Sequence, residues 1–151
     1  MRTIKDIINS KTISFNSIAP NALVIEALQL LNSVNLSYLM VMEGTEYKGI
    51  FSERDYTRNL ILKGRSSVDT TVSQTMSVDF PKVEVADTVE HCMNMMNLHK
   101  TRYLLAFDDD RFVGVITIHD LLRQVIASKE EVFDNAIARS LIDNDENSRI
   151  Y

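Results

Sequence analysis

The chain repeats itself at a spacing of 65 residues. Residues 20–62 and 85–127 align without a gap, and eight of these 43 pairs are identical. The identical pairs are Val24/Val89, Asn32/Asn97, Tyr38/Tyr103, Leu39/Leu104, Gly49/Gly114, Asp55/Asp120, Arg58/Arg123 and Ile61/Ile126. Self-similarity at a fixed period indicates copies of one supersecondary unit. The sequence therefore predicts two similar halves, 1–65 and 66–128, followed by a tail, 129–151.

Each half shows the periodicity of a helix, two strands joined by a polar turn, and a second helix. In the first half we expect these elements at 22–34, 38–42, 49–51 and 53–63, with Gly64 ending the last helix. The second half repeats them with a helix on the face of Val89, Cys92, Met93 and Met96, strands at 103–107 and 113–116, and a helix at 118–127. A short strand is expected ahead of each unit, near 12–15 and 83–85.

This alternation predicts an α/β (α+β) fold with a small sheet in each half. One half alone would leave a sheet face uncovered, so pairing the halves sheet to sheet would bury both faces. The polar, aperiodic segment 64–75 is expected to be the connector. In the tail, an apolar stripe from Val132 to Leu141 predicts a C-terminal helix, and the acidic residues 143–149 predict a frayed end.

Charge and composition narrow the class of function. A net charge of −5 and a pI near 5.2 argue against a general nucleic-acid binder, which would be basic. No apolar run reaches the roughly 20 residues that span a membrane, and residues 1–6 do not resemble a signal peptide. The single cysteine, Cys92, fits a reducing compartment and is predicted to be a buried small apolar residue. We therefore expect a cytoplasmic protein.

The most specific repeated feature is the pattern G-h-h-[ST]-x-x-D, with h apolar, at 49–55 and 114–120. Each copy falls where a predicted strand meets a helix. One interpretation is a capping box, in which the hydroxyl and the carboxylate satisfy free backbone N–H groups. The other is a ligand site, in which the helix start attracts a phosphate and the aspartate accepts hydrogen bonds from a ribose diol. Repetition of the pattern at one place in the unit favours the ligand site.

The duplicated unit and its two motifs resemble the CBS domain, in which two tandem copies form a CBS pair, or Bateman module. The resemblance covers 1–128, and the segments 52–56 and 63–67 are similar to stand-alone bacterial CBS pairs and their plant organellar relatives. It implies a non-catalytic regulator that binds AMP, ATP, NAD(H), S-adenosylmethionine or another adenosine-containing ligand in the cleft between the repeats. It also implies a homodimer, with a protein partner and no required cofactor. The alternative is a protein-interaction module whose nucleotide sites are vestigial.

The resemblance also implies which residues would bind the ligand. The motif aspartates Asp55 and Asp120 would hold the ribose, and the motif hydroxyls of Ser52 and Thr117 would lie near ribose or phosphate. The further candidates are Arg54 and His119, which precede the two aspartates, and Arg102, at a position where the family often has a phosphate contact. Residues 52–65 are locally positive, which would attract a phosphate, although a solvated helix face explains the same charges.

The remaining chemistry-bearing residues form no recognisable site. His91, which is predicted to be exposed, and His99 and His119 show no metal-ligand spacing with each other or with Cys92. No arrangement of nucleophile and base is indicated, and the two common glycine-rich phosphate loops are absent from the sequence. The acidic run 108–110 predicts a hairpin turn rather than a calcium loop. The sequence therefore predicts neither a metal site nor catalytic residues.

Overall fold

Two three-stranded sheets, each with its own helices, organise the chain. The computed structural model describes residues 3–11, 15–128 and 141. These residues divide into two compact units. The first unit contains 15–80. The second unit contains 81–128, Leu141 and the N-terminal residues 3–11.

In the first unit the strand order is β1-β2-β3. The elements are β1 (Ser17–Ile18), α2 (Val24–Val34), β2 (Tyr38–Glu43) and β3 (Glu46–Ser52). Helix α1 (Ile4–Ser10) precedes them in the chain but belongs to the second unit. Strand β1 runs parallel to β2, and β2 and β3 form an antiparallel hairpin. Helix α2 ends at Asn35, whose φ of 55° places it in the left-handed region that commonly ends helices. Its buried face and the sheet enclose one apolar cluster, which includes Ala27, Leu31, Leu39 and Phe51.

The second unit repeats this arrangement with the order β4-β5-β6. Its elements are β4 (Lys82–Glu84), α4 (Val89–His99), β5 (Tyr103–Asp108), β6 (Arg111–Thr117) and α5 (Ile118–Ser128). The hairpin register repeats as well, because Tyr103 faces Thr117 as Tyr38 faces Ser52. The predicted mixed fold of two similar helix-and-sheet units is thus confirmed. Cys92, Met93 and Met96 are buried on the predicted face of α4, and His91 is exposed.

An N-terminal helix α1 (Ile4–Ser10), which the periodicity did not predict, belongs to the second unit. Its backbone bonds to the segment before α4, with Ile4 N–H donating to the Asp87 carbonyl oxygen and Lys5 N–H to that of Val85. Ile4 and Ile7 are buried in the same apolar cluster as the residues of α4 and β5. The helix is therefore anchored by a packed apolar face, which is how most short helices gain stability.

One predicted element differs from the structure, and another lies mostly outside the described residues. The strand expected near 12–15 falls on residues 12–14, which are not described, and on Phe15, which is in no strand; a strand is found at Ser17–Ile18, where it pairs with Met40 and Val41. The expected single helix 53–63 is an α-helical turn, α3 (Glu53–Asp55), followed by a π-helical segment (Tyr56–Leu60) and a 3-10 turn (Ile61–Lys63). Gly64 ends it with a φ of 69°, as expected.

The segment 64–75 is more than a polar connector. Thr70, Val72 and Thr75 are buried, and Val72 N–H donates to the carbonyl oxygen of Ala22. A 3-10 turn (Val72–Gln74) leads to Ser77, which exchanges two backbone hydrogen bonds with Ile50 on β3. The sequence pattern misses this because a few long-range bonds, rather than periodicity, hold the segment on its unit.

The predicted tail helix and the acidic end, within 129–151, lie outside the described residues apart from Leu141. The Leu141 side chain is buried in the apolar cluster of the second unit.

Candidate functional site

Both motifs lie at the junction between the last strand of a sheet and the helix that follows it. Ser52 is the last residue of β3 and Thr117 the last of β6. Their aspartates, Asp55 and Asp120, lie in the first turn of the next helix and are each only 4% exposed. A carboxylate this deeply buried must be hydrogen-bonded to remain stable, so its donors define the site.

In the first motif, Ser52 and Asp55 cap the helix reciprocally. The backbone N–H and the hydroxyl of Ser52 both donate to Oδ2 of Asp55 over 2.9 Å. The backbone N–H of Asp55 donates back to Ser52 Oγ over 3.3 Å. This is a capping box, the first of the two interpretations of the sequence. It leaves the second carboxylate oxygen of Asp55 facing other parts of the unit.

That oxygen, Oδ1, accepts from two neutral donors of the first unit. The Ser77 hydroxyl donates over 2.5 Å and the Asn59 amide over 3.3 Å. Asn59 lies in the π-helical segment, where i→i+5 hydrogen bonding widens the turn. In this segment it is the residue four positions after Asp55, and not the residue three positions after it, that contacts the carboxylate. Asn59 also donates to the carbonyl oxygen of Thr75 over 2.8 Å, so it joins the motif to the connector.

The second motif has the same two reciprocal capping bonds from backbone N–H groups but different further donors. Thr117 N–H donates to Asp120 Oδ2 over 2.9 Å, and Asp120 N–H donates to Thr117 Oγ1 over 3.2 Å. Lys11 Nζ also donates to Oδ2, over 2.9 Å, and Arg123 Nη2 donates to Oδ1 over 2.9 Å. Two cations therefore hold Asp120, whereas neutral groups hold Asp55.

The hydrogen bonds and the neighbouring cations lower the pKa of the Asp120 carboxyl. Burial by itself would raise the pKa of this carboxyl, because burial disfavours the charged form. The hydrogen bond from the Thr117 backbone, followed by the bonds and charge of Lys11 and the bond from Arg123, outweighs burial and lowers the pKa below its usual range. Asp120 is thus a carboxylate at neutral pH.

The equivalent arginines of the two repeats behave differently. In the regular helix α5, Arg123 lies one turn after Asp120 and pairs with it. Arg58, 65 positions earlier, is exposed, and its side chain has no hydrogen bond or ion pair to another described residue. The same is true of Arg54 and His119, the candidates that precede the two aspartates. Among the described residues, the side chains of Arg54, in α3, and Arg58, in the π-helical segment, thus remain unpaired beside the first motif.

Arg102 is half-buried and immediately precedes β5. Its carbonyl oxygen accepts a 2.8 Å hydrogen bond from Ile118 N–H, at the start of α5. Ser37 accepts the matching bond from Glu53 N–H over 3.0 Å. The backbone of Arg102 therefore lies beside the start of α5, next to the second motif.

Tyr47 on β3 adds to the electrostatics of the first motif. Burial, and then the negative charge of Asp55, raises the pKa of its phenol to about 12. The phenol therefore keeps its proton throughout the physiological range.

Lys11, Asn59 and Ser77 contact the motif carboxylates but were not predicted. Lys11 and Ser77 could have been found by extending the alignment of the two repeats, at the same offset of 65 residues, toward the N-terminus. This extension aligns Lys11 with Met76 and Thr12 with Ser77. These positions lie ahead of the first strand of each repeat, where no periodic pattern draws attention to them.

The residues that the structure describes contain no group of three or more His, Cys, Asp or Glu that could hold a metal ion. No helix among them is long and apolar enough to cross a membrane.

The fold and its motifs define a tandem-repeat protein with a capped carboxylate at the same strand–helix junction of each repeat. The family model for the CBS domain matches residues 4–62 and 72–127. The chain belongs to the CBS domain family, and the resemblance seen in the sequence is confirmed. Proteins of this family are generally of a regulatory type.

Three relatives show how far the similarity extends. The mitochondrial CBS domain-containing protein CBSX3 of Arabidopsis thaliana is 28% identical over 138 residues, which cover 85% of this chain and 67% of that protein. The crystal structure of a CBS-domain protein from Burkholderia ambifaria MC40-6 is 30% identical, with a TM-score of 0.72, and the match covers 87% of this chain and 99% of that one. The structure of CBSX2 in complex with AMP is 21% identical, has a TM-score of 0.70, and covers 86% and 100% of the two chains. At 21% identity, the similarity to CBSX2 shows a shared fold and nothing more.

Proposed function

We propose that this protein is a non-catalytic regulator that binds an adenosine-containing ligand at its CBS motifs and thereby modulates a partner. The ligand class is AMP, ATP, NAD(H) or S-adenosylmethionine. The observation that carries the proposal is the duplication of one geometry. A buried aspartate follows a strand-ending Ser or Thr by three residues in both units.

The positive charge beside the first motif supports a phosphate-bearing ligand. Arg54, Arg58 and Lys63 are exposed, and none forms an ion pair with another described residue. A free cation near a helix start favours an anion. The AMP complex of CBSX2, which has the same fold, supports the adenosine class. In this proposal Ser52, Arg54 and Asp55 would contact ligand at the first motif, and Arg102, Thr117, His119 and Asp120 at the second.

The second candidate function is a protein-interaction module with vestigial nucleotide sites. One specific observation favours it, namely that both carboxylates already accept hydrogen bonds within their own units. Asp55 accepts four and Asp120 three. A ligand hydroxyl at Asp55 must replace one of its four donors, because a carboxylate has about four acceptor positions, so binding has to compensate for a bond that is lost.

Thermal unfolding with AMP, ATP, NADH and S-adenosylmethionine, each at millimolar concentration, tests the first candidate. A ligand at 100 times its dissociation constant adds about 2.7 kcal/mol to stability, which raises the melting temperature of a domain of this size by several degrees. The stabilisation should weaken in Asp55→Asn and persist in the control Asp79→Asn, whose carboxylate is exposed. Absence of any shift with all four ligands would rule out the regulator and favour the interaction module. A pull-down unaffected by combined Asp55→Ala and Asp120→Ala would point the same way.

The proposal extends to assembly and location. We propose a homodimer in the cytoplasm, with neither nucleic acid nor membrane as a partner. Light scattering of the purified full chain at several concentrations tests the dimer, and a monomer mass at all of them would contradict it.

A further inference from the structure

The two motif carboxylates are held by chemically different donors, and the difference comes from one position of the duplicated sequence. In each unit, one residue from the segment that leads into the other repeat lies beside the motif. This residue is Met76 in the first unit and Lys11 in the second, and the two are 65 positions apart in the sequence. Met76 packs against Gly49, and the adjoining residue, Ser77, donates a neutral hydrogen bond to Asp55. Lys11 instead places an ammonium group on Asp120.

Packing of the preceding helix and two hydrogen bonds hold Lys11 in place. It directly follows α1, whose Ile4 and Ile7 are buried in the core of the second unit. Its Nζ makes a second bond, donating to the carbonyl oxygen of Val115 over 2.8 Å. A side chain delivered by a packed helix and held by two acceptors loses little further entropy in forming the ion pair. The contact is therefore part of the folded unit.

The consequence concerns ligand exchange. At Asp55, a ribose hydroxyl can replace a neutral donor, and two of the donors are serine hydroxyls, which can rotate aside. At Asp120 both carboxylate oxygens are held by cations, Oδ2 by Lys11 and Oδ1 by Arg123, so the same hydroxyl competes with charged donors at a carboxylate that is only 4% exposed. The attraction between an ammonium and a carboxylate adds to their hydrogen bond, and a buried charge that loses its partner is strongly destabilised.

We infer that Lys11 is a specificity-determining residue that closes the second motif with an internal ion pair. The ligand then binds at Asp55 and reaches Asp120 only when Lys11 withdraws. This inference rests on the proposed function, since it assigns the nucleotide to one of the two motifs. It predicts one ligand per chain rather than two.

Calorimetric titration of the full chain with AMP tests the stoichiometry. The wild type and the charge-conserving Lys11→Arg should each bind one equivalent. Lys11→Met, which places in the second unit the residue that the first unit has at the equivalent position, should bind two. Lys5→Met is the matched control, because Lys5 is an exposed lysine of α1, and it should bind one equivalent. The single variant Asp55→Asn should bind AMP with less than one tenth of the wild-type affinity. The double variant Lys11→Met, Asp55→Asn should still bind one equivalent.

Two results would overturn the inference while leaving the proposed function intact. They are two equivalents in the wild type, and one equivalent in Lys11→Met with unchanged affinity. Absence of binding in every variant would instead contradict the proposed nucleotide function.

Hydrogen exchange of the ligand-free protein tests the ion pair between Lys11 and Asp120 separately. The backbone amides of Ile4–Ser10 should exchange about tenfold faster in Lys11→Met than in the wild type or Lys5→Met, as expected when a charged hydrogen bond anchoring the helix is lost. Equal exchange rates in all three proteins would show that Lys11 does not hold the second motif.

Discussion

The hydroxyl of Ser77 donates a 2.5 Å hydrogen bond to Oδ1 of Asp55, a residue 22 positions earlier in the chain. Ser77 also exchanges two backbone hydrogen bonds with Ile50, directly ahead of the motif. The first motif is therefore completed by the segment that leads into the second repeat. A change in this segment should alter the first motif even though the segment lies outside the local sequence pattern.

Removal of the Ser77 hydroxyl should destabilise the protein moderately. In Ser77→Ala, Asp55 Oδ1 keeps only the longer bond from Asn59, so we expect a loss of about 1 kcal/mol in the free energy of unfolding. Urea unfolding followed by circular dichroism measures the change. The control is Ser17→Ala, since Ser17 is an exposed serine of the same unit and should change stability by less than about 0.5 kcal/mol. Equal effects of the two substitutions would contradict the structural role of Ser77.

The close approach of Gly49 to residues 76 and 77 should make this glycine intolerant of a side chain. A Cβ at Gly49 would lie 2.8 Å from Met76 Sδ and 2.9 Å from the Ser77 carbonyl oxygen. The methionine can move, but the carbonyl oxygen is held by its hydrogen bond to Ile50. Gly49→Ala should therefore cost about 1–3 kcal/mol, as overpacking does.

A second variant separates the two obstacles at Gly49. Met76→Ala in the Gly49→Ala background removes the contact with sulfur but leaves the contact with the Ser77 carbonyl oxygen. We expect the double variant to remain less stable than Met76→Ala alone, by urea unfolding. Full recovery would show that Met76 is the only obstacle.

The stability of the protein should fall in acid partly through Asp120. Its pKa is lower in the folded chain than the ordinary value of 3.8, so the folded state favours the ionised form. The resulting stabilisation is complete above the ordinary value and is lost as the pH falls through the lower, folded value. Urea midpoints measured from pH 7 down to pH 2.5 should show a steeper acid loss in the wild type than in Asp120→Asn. The exposed Asp79→Asn should follow the wild-type curve, and identical curves for all three would contradict the prediction.

The single thiol should report global unfolding. Cys92 is fully buried, and burial, followed by the charge of Asp87, raises its pKa to about 12. Because the thiolate is the reactive form, an aromatic disulfide reagent at pH 8 should label the folded protein at least about 100-fold more slowly than the urea-unfolded chain. Labelling at the unfolded rate without denaturant would show that the face of α4 carrying Cys92 opens readily.

Much of the fold could be predicted because its determinants are local. The hairpins from Tyr38 and from Tyr103 follow from short apolar runs around polar turns, and the left-handed Gly64 ends its helix as glycine commonly does. The π-helical segment after Asp55 could not be predicted in this way. Its sequence has the same spacing as regular helix α5, and the difference depends on contacts such as that between Asn59 and Thr75. The strand Ser17–Ile18 could not be predicted either, because two residues carry too little pattern to set a register.

The sequence by itself determined the duplicated unit and the two capping boxes, because Ser52 and Asp55, like Thr117 and Asp120, are three residues apart and meet in any helix start. Only the tertiary structure decided which further donors complete each carboxylate. Ser77 is 22 residues from Asp55, and Lys11 is 109 residues from Asp120. Such contacts depend on where packed segments end, which periodicity does not encode. One motif carboxylate thereby received neutral donors and the other received two cations, although the local motifs are nearly the same.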